Sequence, residues 1–152
     1  MRKKALLSRD KKYRYSLTRI WDDSQKKILF IMLNPSSADS QNDDPTIRRL
    51  ISFTKKWGFG GFWVCNLYPY RTSSIKELYK SLSSMQNKNK IQIKNHILKT
   101  NLIVYAWGNT EKEPNWLKKN VKKPFCIDKN INGSPKHPLY ISSNKKLIYY
   151  RN

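Results

Sequence analysis

The apolar run Ile28–Leu33 constrains the fold most, because it stops abruptly at the turn residues Asn34-Pro35-Ser36. An uninterrupted apolar run of this length, bounded by turn residues, is typical of a strand buried on both faces of a parallel sheet. In open α/β sheets, ligands bind just beyond the carboxyl ends of such strands. The loop from Asn34 to Thr46 is therefore predicted to lie where a binding or catalytic site would form.

Three further apolar runs repeat this pattern and alternate with segments of helical periodicity. The predicted strands cover residues 62–66, 102–107 and 124–127, and the predicted helices cover 45–57, 74–82, 91–99 and 114–120. The first of these helices has a strong start, with Asp44 as N-cap and Pro45 at the first helical position. Four strands alternating with helices predict a three-layer α/β/α domain around a central four-stranded parallel sheet.

The other segments are expected to extend this sheet or to lie outside it. Tyr13–Trp21 alternates apolar and polar residues with period two, which predicts a half-buried strand pairing antiparallel with the first apolar run at an edge of the sheet. Residues 138–141 and 146–150 have short strand-like patterns, and residues 1–12 are predicted to be a frayed basic N-terminus. We expect a single domain over residues 1–152.

The net charge is +21, from 31 Lys and Arg residues against 10 Asp and Glu residues. A surface this basic indicates a polyanionic partner, with DNA first and an anionic membrane second. The alternative is the Lys- and Asn-rich composition that follows from an AT-rich genome. Cys65 and Cys126 lie in apolar runs without metal-type partners, which indicates buried thiols in a reducing compartment. No apolar run approaches the roughly 20 residues of a membrane span, so a cytoplasmic protein without a membrane partner is expected.

Right-handed crossovers would bring the loops after all four predicted strands to one edge of the sheet. The candidates at this edge are Asn34, Asn66 with Arg71, Trp107-Gly108-Asn109, and the loop Asp128–His137. An Asn amide can pair with a base edge through its donor and acceptor together, and an Arg can neutralise a phosphate. A His can donate a proton or act as an electrophile near neutral pH. The structural alternatives are turn formation for the two Asn residues and an exposed bystander for His137.

Asp39, Asp43 and Asp44 place three of the ten acidic residues within six positions. Helix capping accounts for Asp44 and can account for Asp43, whereas Asp39 stays open. The alternative is a Mg²⁺ site for phosphodiester chemistry. No Cys and His spacing indicates zinc, and neither a glycine-rich phosphate loop nor a Ser nucleophile elbow is present.

Five motifs in this order resemble the bacterial and phage family known as domain of unknown function 1643. They are Leu33-Asn34-Pro35-Ser36 with Ala38-Asp39, Asp43-Asp44-Pro45-Thr46-Ile47-Arg48-Arg49, Asn66-Leu67-Tyr68-Pro69-Tyr70-Arg71-Thr72, Ala106-Trp107-Gly108-Asn109 and Lys136-His137-Pro138-Leu139-Tyr140. The resemblance extends from about Tyr13 to the C-terminus. It implies no activity by itself.

The order of the motifs is also similar to that of the uracil-DNA glycosylase superfamily, which implies a uracil-DNA glycosylase-like fold. By this resemblance Asn34 positions the attacking water, Asn66 reads the pyrimidine edge and Trp107-Gly108 closes the third strand. His137-Pro138 matches the loop that wedges the minor groove and stabilises the departing base anion. An amide at position 34 can hold a water but cannot take its proton. Because Leu139-Tyr140 replaces the usual Ser-Pro-Leu-Ser continuation, uracil and a bulkier modified base both stay open as substrates.

These features predict a monofunctional DNA glycosylase that flips out a uracil-like or modified pyrimidine and hydrolyses its N-glycosidic bond, in DNA repair or in defence against phage DNA. Catalysis is assigned to Asn34 and His137, with Asp39 or Asp43 as candidate general base and no metal or cofactor required. The predicted substrate-binding residues are Pro35, Ser36, Asn66, Tyr68, Tyr70, Arg71, Trp107, Gly108, Asn109, Lys136 and Pro138. The alternatives are a non-catalytic nucleic-acid-binding protein and a metal-dependent nuclease built on Asp39, Asp43 and Asp44.

Overall fold

Strands and helices alternate along the chain in the computed structural model, which describes residues 1–79 and 82–151. The strands are β1 (Arg2–Leu7), β2 (Arg14–Ile20), β3 (Lys27–Met32), β4 (Gly61–Asn66), β5 (Leu102–Tyr105), β6 (Phe125–Cys126) and β7 (Ile148–Tyr149). The helices are α1 (Pro45–Lys56), α2 (Ser83–Leu98) and α3 (Asn115–Asn120), with 3₁₀ helices at Ile75–Glu77 and Pro138–Tyr140. Among the described residues, no helix is both long and apolar enough to cross a membrane.

All seven strands form one mixed sheet in the order β1-β2-β4-β3-β5-β6-β7. The central neighbours β4, β3, β5 and β6 are parallel to one another. The outer strands are antiparallel: β2 pairs with β4, β1 with β2, and β7 with β6. The predicted α/β class is therefore confirmed, and the sheet is larger than predicted because the N-terminal residues add a strand.

The prediction of a frayed N-terminus was wrong. Residues Arg2–Leu7 form β1, which pairs with β2 from Arg2 opposite Ile20 to Leu6 opposite Ser16. Lys and Arg residues are common in edge strands because they discourage pairing with other molecules, so a basic segment can still be a strand. The partner predicted for β2 was also wrong: β2 pairs with β4, and β3 lies between β4 and β5.

Three helical segments also differ from the sequence-based expectations. Helix α2 begins at Ser83, before the predicted start at residue 91, because polar residues form its exposed face. The helix predicted from Ser74 is a 3₁₀ helix at Ile75–Glu77, and residues 80 and 81 of that prediction lie outside the described residues. The run predicted as a strand at 138–141 is largely the 3₁₀ helix Pro138–Tyr140, since Pro138 at its first position favours a helical start.

Strand β3 lies in the centre of the core because its two faces pack against different helices. Phe30 belongs to the cluster that contains Leu50 of α1, whereas Ile31 belongs to the cluster that contains Ile93 of α2 and Leu117 of α3. Successive side chains of a strand point to opposite faces, so both faces need apolar residues. This two-sided burial is the physical reason for the uninterrupted apolar run in the sequence.

Candidate functional site

A cavity of about 190 Å³ lies at the carboxyl ends of the central parallel strands. Asn34 reaches it from the segment after β3, Asn66 from the last position of β4, and Trp107 from the segment after β5. His137 reaches it from the loop that precedes the second 3₁₀ helix. The structure therefore brings together, around one cavity, four residues singled out from separate parts of the sequence.

The Asn34 side chain is held by its nitrogen and leaves its oxygen unpaired. Asn34 Nδ2 donates to the carbonyl oxygen of Thr72 at 2.5 Å and to that of Pro35 at 3.2 Å. Pro35 in turn accepts a hydrogen bond from the backbone N–H of Thr72 at 3.0 Å. Among the described residues Asn34 Oδ1 has no donor. Since Asn34 lines the cavity, its amide offers an acceptor there.

The Asn66 side chain has the opposite arrangement. Asn66 is 1% exposed, and its Oδ1 accepts a hydrogen bond from Arg14 Nη2 at 3.3 Å. Its backbone oxygen accepts from Asn89 Nδ2 of α2 at 2.6 Å, which fixes the strand end. No acceptor among the described residues pairs with Asn66 Nδ2. The Asn66 amide thus offers a donor to the cavity where the Asn34 amide offers an acceptor.

Arg14 is a cavity residue that the sequence reasoning missed. It is 3% exposed, and its Nη1 donates to the carbonyl oxygen of Ala38 at 2.9 Å. Its Nε has no hydrogen-bond partner in the part of the chain that the structure describes. Burial lowers the pKa of Arg14 to about 10, an effect that the nearby Asp44 carboxylate opposes. The guanidinium therefore keeps its charge at neutral pH. Its position in a period-two strand pattern is typical of a solvent-facing residue, so no local signal identifies it.

Asp44 combines the predicted helix cap with a position in the cavity wall. Its Oδ1 accepts from the backbone N–H of Ile47 at 2.9 Å, which confirms the N-cap of α1. Its Oδ2 accepts from Ser36 Oγ at 2.8 Å and from the backbone N–H of Ala38 at 3.3 Å. The capping carboxylate thus also holds the loop that follows Asn34 in place, and it lies beside the cavity.

Asp39 and Asp43 do not line this cavity. Asp39 Oδ1 accepts from the backbone N–H groups of Gln41 and Asn42 at 2.9 and 2.8 Å, and these hydrogen bonds lower the pKa of Asp39. Asp43 forms ion pairs with Arg19 at 2.8 Å and with Lys3 at 3.5 Å. Within the described residues, no three His, Cys, Asp or Glu side chains converge as a metal-binding group.

His137 is half-buried, and its tautomer follows from its contacts. The backbone N–H of Leu139 donates to His137 Nδ1 at 3.3 Å, so Nδ1 is an acceptor and Nε2 carries the hydrogen. Burial lowers the pKa of His137, and the charge of Asp44 opposes this shift. The imidazole is therefore neutral at pH 7, with an N–H available to donate. The next residue, Pro138, is buried, whereas Leu139 and Tyr140 are 41% and 83% exposed.

The segment after β5 connects to the loop of His137. Gly108 has a φ of +89°, a conformation that favours glycine, and its N–H donates to the carbonyl oxygen of Pro135 at 2.8 Å. Trp107 is 1% exposed and donates from Nε1 to the carbonyl oxygen of Glu111 at 2.9 Å. Five other predicted substrate-binding residues do not line the cavity: Pro35, Gly108, Asn109, Lys136 and Pro138.

The remaining predicted binding residues have other partners. Arg71 donates to the carbonyl oxygens of Lys11, Ser36 and Ser37, so it holds the loop after Asn34. Tyr68 donates to Glu111 Oε1 at 3.0 Å, and Tyr70 packs edge-on against Tyr13. Neither tyrosine lines the 190 Å³ cavity, and the aromatic ring that does is that of Trp107.

A family model for proteins of unknown function, DUF1643, matches residues 14–139. The chain belongs to the DUF1643 family. The match begins at Arg14 and includes His137, so it contains all the residues that line the cavity. No curated protein and no solved structure matches this DUF1643 protein.

Proposed function

We propose that this DUF1643 protein is a DNA glycosylase that hydrolyses the N-glycosidic bond of a uracil-like or modified pyrimidine. The observation that carries the proposal is the convergence of Asn34, Asn66 and His137 on one cavity at the ends of parallel strands. We further propose that the helices on the two faces of its sheet correspond to the three-layer fold of the uracil-DNA glycosylase superfamily. The motif order described above supports this correspondence.

The size and polarity of the cavity support a single nucleobase as ligand. Pockets for drug-sized molecules have volumes of about 300–1,000 Å³, whereas this cavity has about 190 Å³. The Asn66 Nδ2 donor is suited to a hydrogen bond with an oxygen at the base edge. A base in duplex DNA reaches such a cavity only when its nucleotide rotates out of the stack.

The Asn34 amide and the His137 imidazole suit the hydrolytic step. A water held by Asn34 Oδ1 adds to C1′ of the sugar, and the electron pair of the breaking C1′–N bond leaves with the base. The His137 Nε2–H group donates a hydrogen bond to the base anion as it forms, which lowers the energy of the transition state. The water's proton is released to solvent, and the departed base takes up a proton there. Water supplies the only co-reactant.

The surface around the cavity supports DNA as the polymer that carries the base. The exposed residues Lys11 and Lys12 adjoin the loop after Asn34, because their carbonyl oxygens accept hydrogen bonds from Arg71. Lysine side chains bind DNA phosphates and release counterions. Two residues that follow the cavity residue His137, Leu139 and Tyr140, are exposed and offer apolar side chains that suit insertion between bases.

The test uses duplex oligonucleotides that carry one uracil, one G·T mismatch or one hypermodified pyrimidine, incubated with the full chain in EDTA. Alkali then cleaves any abasic site. We expect alkali-dependent strand breaks from the wild-type chain and none from His137→Ala. Binding without abasic sites would overturn the proposal in favour of a nucleic-acid-binding protein. Breaks that need Mg²⁺ but no alkali would instead indicate a nuclease.

A further inference from the structure

A buried arginine lies directly behind the residue proposed to read the base. Arg14 Nη2 donates to Asn66 Oδ1 at 3.3 Å, and Arg14 Nη1 donates to the carbonyl oxygen of Ala38 at 2.9 Å. Arg14 and Asn66 both line the cavity, and neither is more than 3% exposed. Arg14 Nε has no partner among residues 1–79 and 82–151, so within this part of the chain the buried guanidinium is incompletely satisfied, which is costly. Neither helix capping nor loop closure by itself explains why a charged guanidinium is buried at position 14.

The chemistry of the guanidinium restricts the Asn66 amide to one orientation. A guanidinium has five N–H donors and no acceptor. If the amide rotated by 180°, Asn66 Nδ2 would face the donors of Arg14, and two hydrogen-bond donors would oppose each other in a buried site. The observed orientation, with Oδ1 toward Arg14, is therefore strongly preferred. It leaves Nδ2 as the group that Asn66 offers to the cavity.

We propose that Arg14 is a positioning residue that holds the Asn66 amide with Nδ2 toward the cavity, so that the cavity selects a base edge with a carbonyl oxygen over one with an amino group. The identity of the ligand as a nucleobase rests on the proposed function. A free Asn amide would read the oxygen and the adjacent N–H of uracil together. The reverse orientation would suit cytosine, whose amino group donates and whose ring nitrogen accepts, and Arg14 disfavours that orientation.

Three ligands test the orientation of the Asn66 amide. Uracil has the carbonyl oxygen and the adjacent N3–H. N3-methyluracil keeps the carbonyl oxygen but lacks the N–H. Cytosine carries an amino group in place of the oxygen, and a donor opposite Asn66 Nδ2 leaves a buried polar group unpaired. Sites that hydrogen-bond a defined group can discriminate strongly against an analogue that lacks it.

The experiment measures excision from duplexes carrying each base and, separately, binding of the free bases to the full chain by NMR titration. We expect the wild-type chain to prefer uracil over cytosine by about 100-fold or more. N3-methyluracil, which keeps the oxygen but lacks the N–H, should fall between uracil and cytosine. Arg14→Met should reduce the uracil preference at least tenfold, because the amide can then rotate. Arg14→Lys should retain most of the preference, since an ammonium group is also a donor only.

Arg19→Met is the matched control. Arg19 is a second buried arginine of β2, but it pairs with Asp43 and does not line the cavity. This variant is expected to be less stable, so it is measured at a temperature at which its circular dichroism spectrum shows a folded chain, and there it should keep the base preference of the wild-type chain. If Arg14→Met does not fold, Arg14→Lys and the N3-methyluracil comparison on the wild-type chain still decide the proposal.

The outcomes separate this inference from the proposed function. If the wild-type chain produces no abasic sites, glycosylase activity is refuted, and the free-base titrations alone then test Arg14. An unchanged uracil preference in Arg14→Met would overturn the inference even where excision is observed. Rejection of N3-methyluracil as strong as that of cytosine would overturn it as well.

Discussion

The two buried arginines of β2 differ in how completely their hydrogen-bond donors are satisfied. Arg19 is fully buried, forms an ion pair with Asp43 at 2.8 Å and donates to the carbonyl oxygens of Thr18, Asp39 and Asn42. Arg14 donates to one carbonyl oxygen and to the amide of Asn66, and its Nε has no partner. Natural proteins rarely leave buried polar groups unpaired, so an incomplete set of partners needs an explanation.

This difference separates a structural region from a candidate functional one. Arg19 connects β2 to the loop that contains Asp39 and Asp43. Its hydrogen bonds and its ion pair are all with other residues of the chain, and it does not line the cavity. Arg14 lies in the wall of a cavity, beside amides that each leave one atom unpaired. We infer that the polar groups around Arg19 stabilise the fold, whereas those around Arg14 bind a ligand. The following experiments test this difference between Arg19 and Arg14.

The largest expected effect is on stability at Arg19. Arg19→Met should lower the free energy of unfolding by about 3–5 kcal/mol, because it leaves the largely buried Asp43 without its closest cation. Urea denaturation measures the loss. Adding Asp43→Leu should recover most of it, since removing both partners of a buried ion pair is often close to neutral. If Arg19→Met lowers the free energy of unfolding by less than about 1 kcal/mol, Arg19 does not have the stabilising role inferred for it.

The next effect is on catalysis at the cavity. Asn34→Ala and His137→Ala should each lower the single-turnover excision rate by about 10²–10³-fold, the usual cost of losing a group that acts in the transition state. DNA affinity should stay close to that of the wild-type chain. Asn120→Ala, which removes an exposed amide at the end of α3, is the control and should change neither quantity. Equal losses of affinity and rate would identify Asn34 and His137 as contacts to DNA without a catalytic role.

A smaller effect concerns pH and the two histidines. Burial lowers the pKa of His137 and of His96 below their ordinary value of 6.5. The unfolded chain then binds more protons, so the free energy of unfolding should fall as the pH drops through 6.5 and level off below the lowered pKa values. His96→Gln and His137→Gln should each flatten this dependence in urea titrations at several pH values. Only His137→Gln should also impair excision.

If a chain that carries both His96→Gln and His137→Gln keeps the pH dependence of unfolding of the wild-type chain, other groups cause that dependence. His96 is a useful comparison because it lies on α2, away from the cavity. Its ring packs edge-on against Trp63, and its Nδ1 contacts the carbonyl oxygen of Gln92. A loss of excision in His96→Gln as large as that in His137→Gln would contradict the separation of the two regions.

The smallest effect is expected at the exposed lysines beside the cavity. Lys11→Ala and Lys12→Ala should each weaken DNA binding modestly and reduce the slope of log K against log salt by about one counterion. Fluorescence anisotropy at several salt concentrations measures both. Lys119→Ala, an exposed lysine on α3, is the control. If all three variants change the slope equally, DNA contacts the chain without a preferred face.

Much of the central fold could be predicted from local patterns. The strands β3, β4, β5 and β6 lie within or close to the predicted ranges, because strands buried on both faces need continuous apolar runs. Asp44-Pro45 located the start of α1 because capping depends on neighbouring residues only. The strand ends, and with them Asn34 and Asn66, followed from the same patterns.

The rest depended on contacts between segments far apart in sequence. The basic run Arg2–Leu7 is a strand only because β2 presents a free edge to it. Arg14 has the local pattern of a surface residue, yet it is buried against Ala38 and Asn66, which are 24 and 52 positions away. The orientations of the Asn34 and Asn66 amides follow from Thr72 and Arg14, and no spacing in the chain encodes them.

Local sequence patterns were enough to identify the four buried strands, the start of α1 and the polar residues that follow the strand ends. Periodicity and turn chemistry act over a few residues, so they can be read along the chain. The tertiary structure was needed to show that Arg14 is buried and that Asp43 pairs with Arg19 away from the cavity. It was also needed to show that Asn34 offers an acceptor where Asn66 offers a donor. Burial and hydrogen-bond direction depend on which distant segments meet, and that meeting places Asn34, Asn66 and His137 around one cavity.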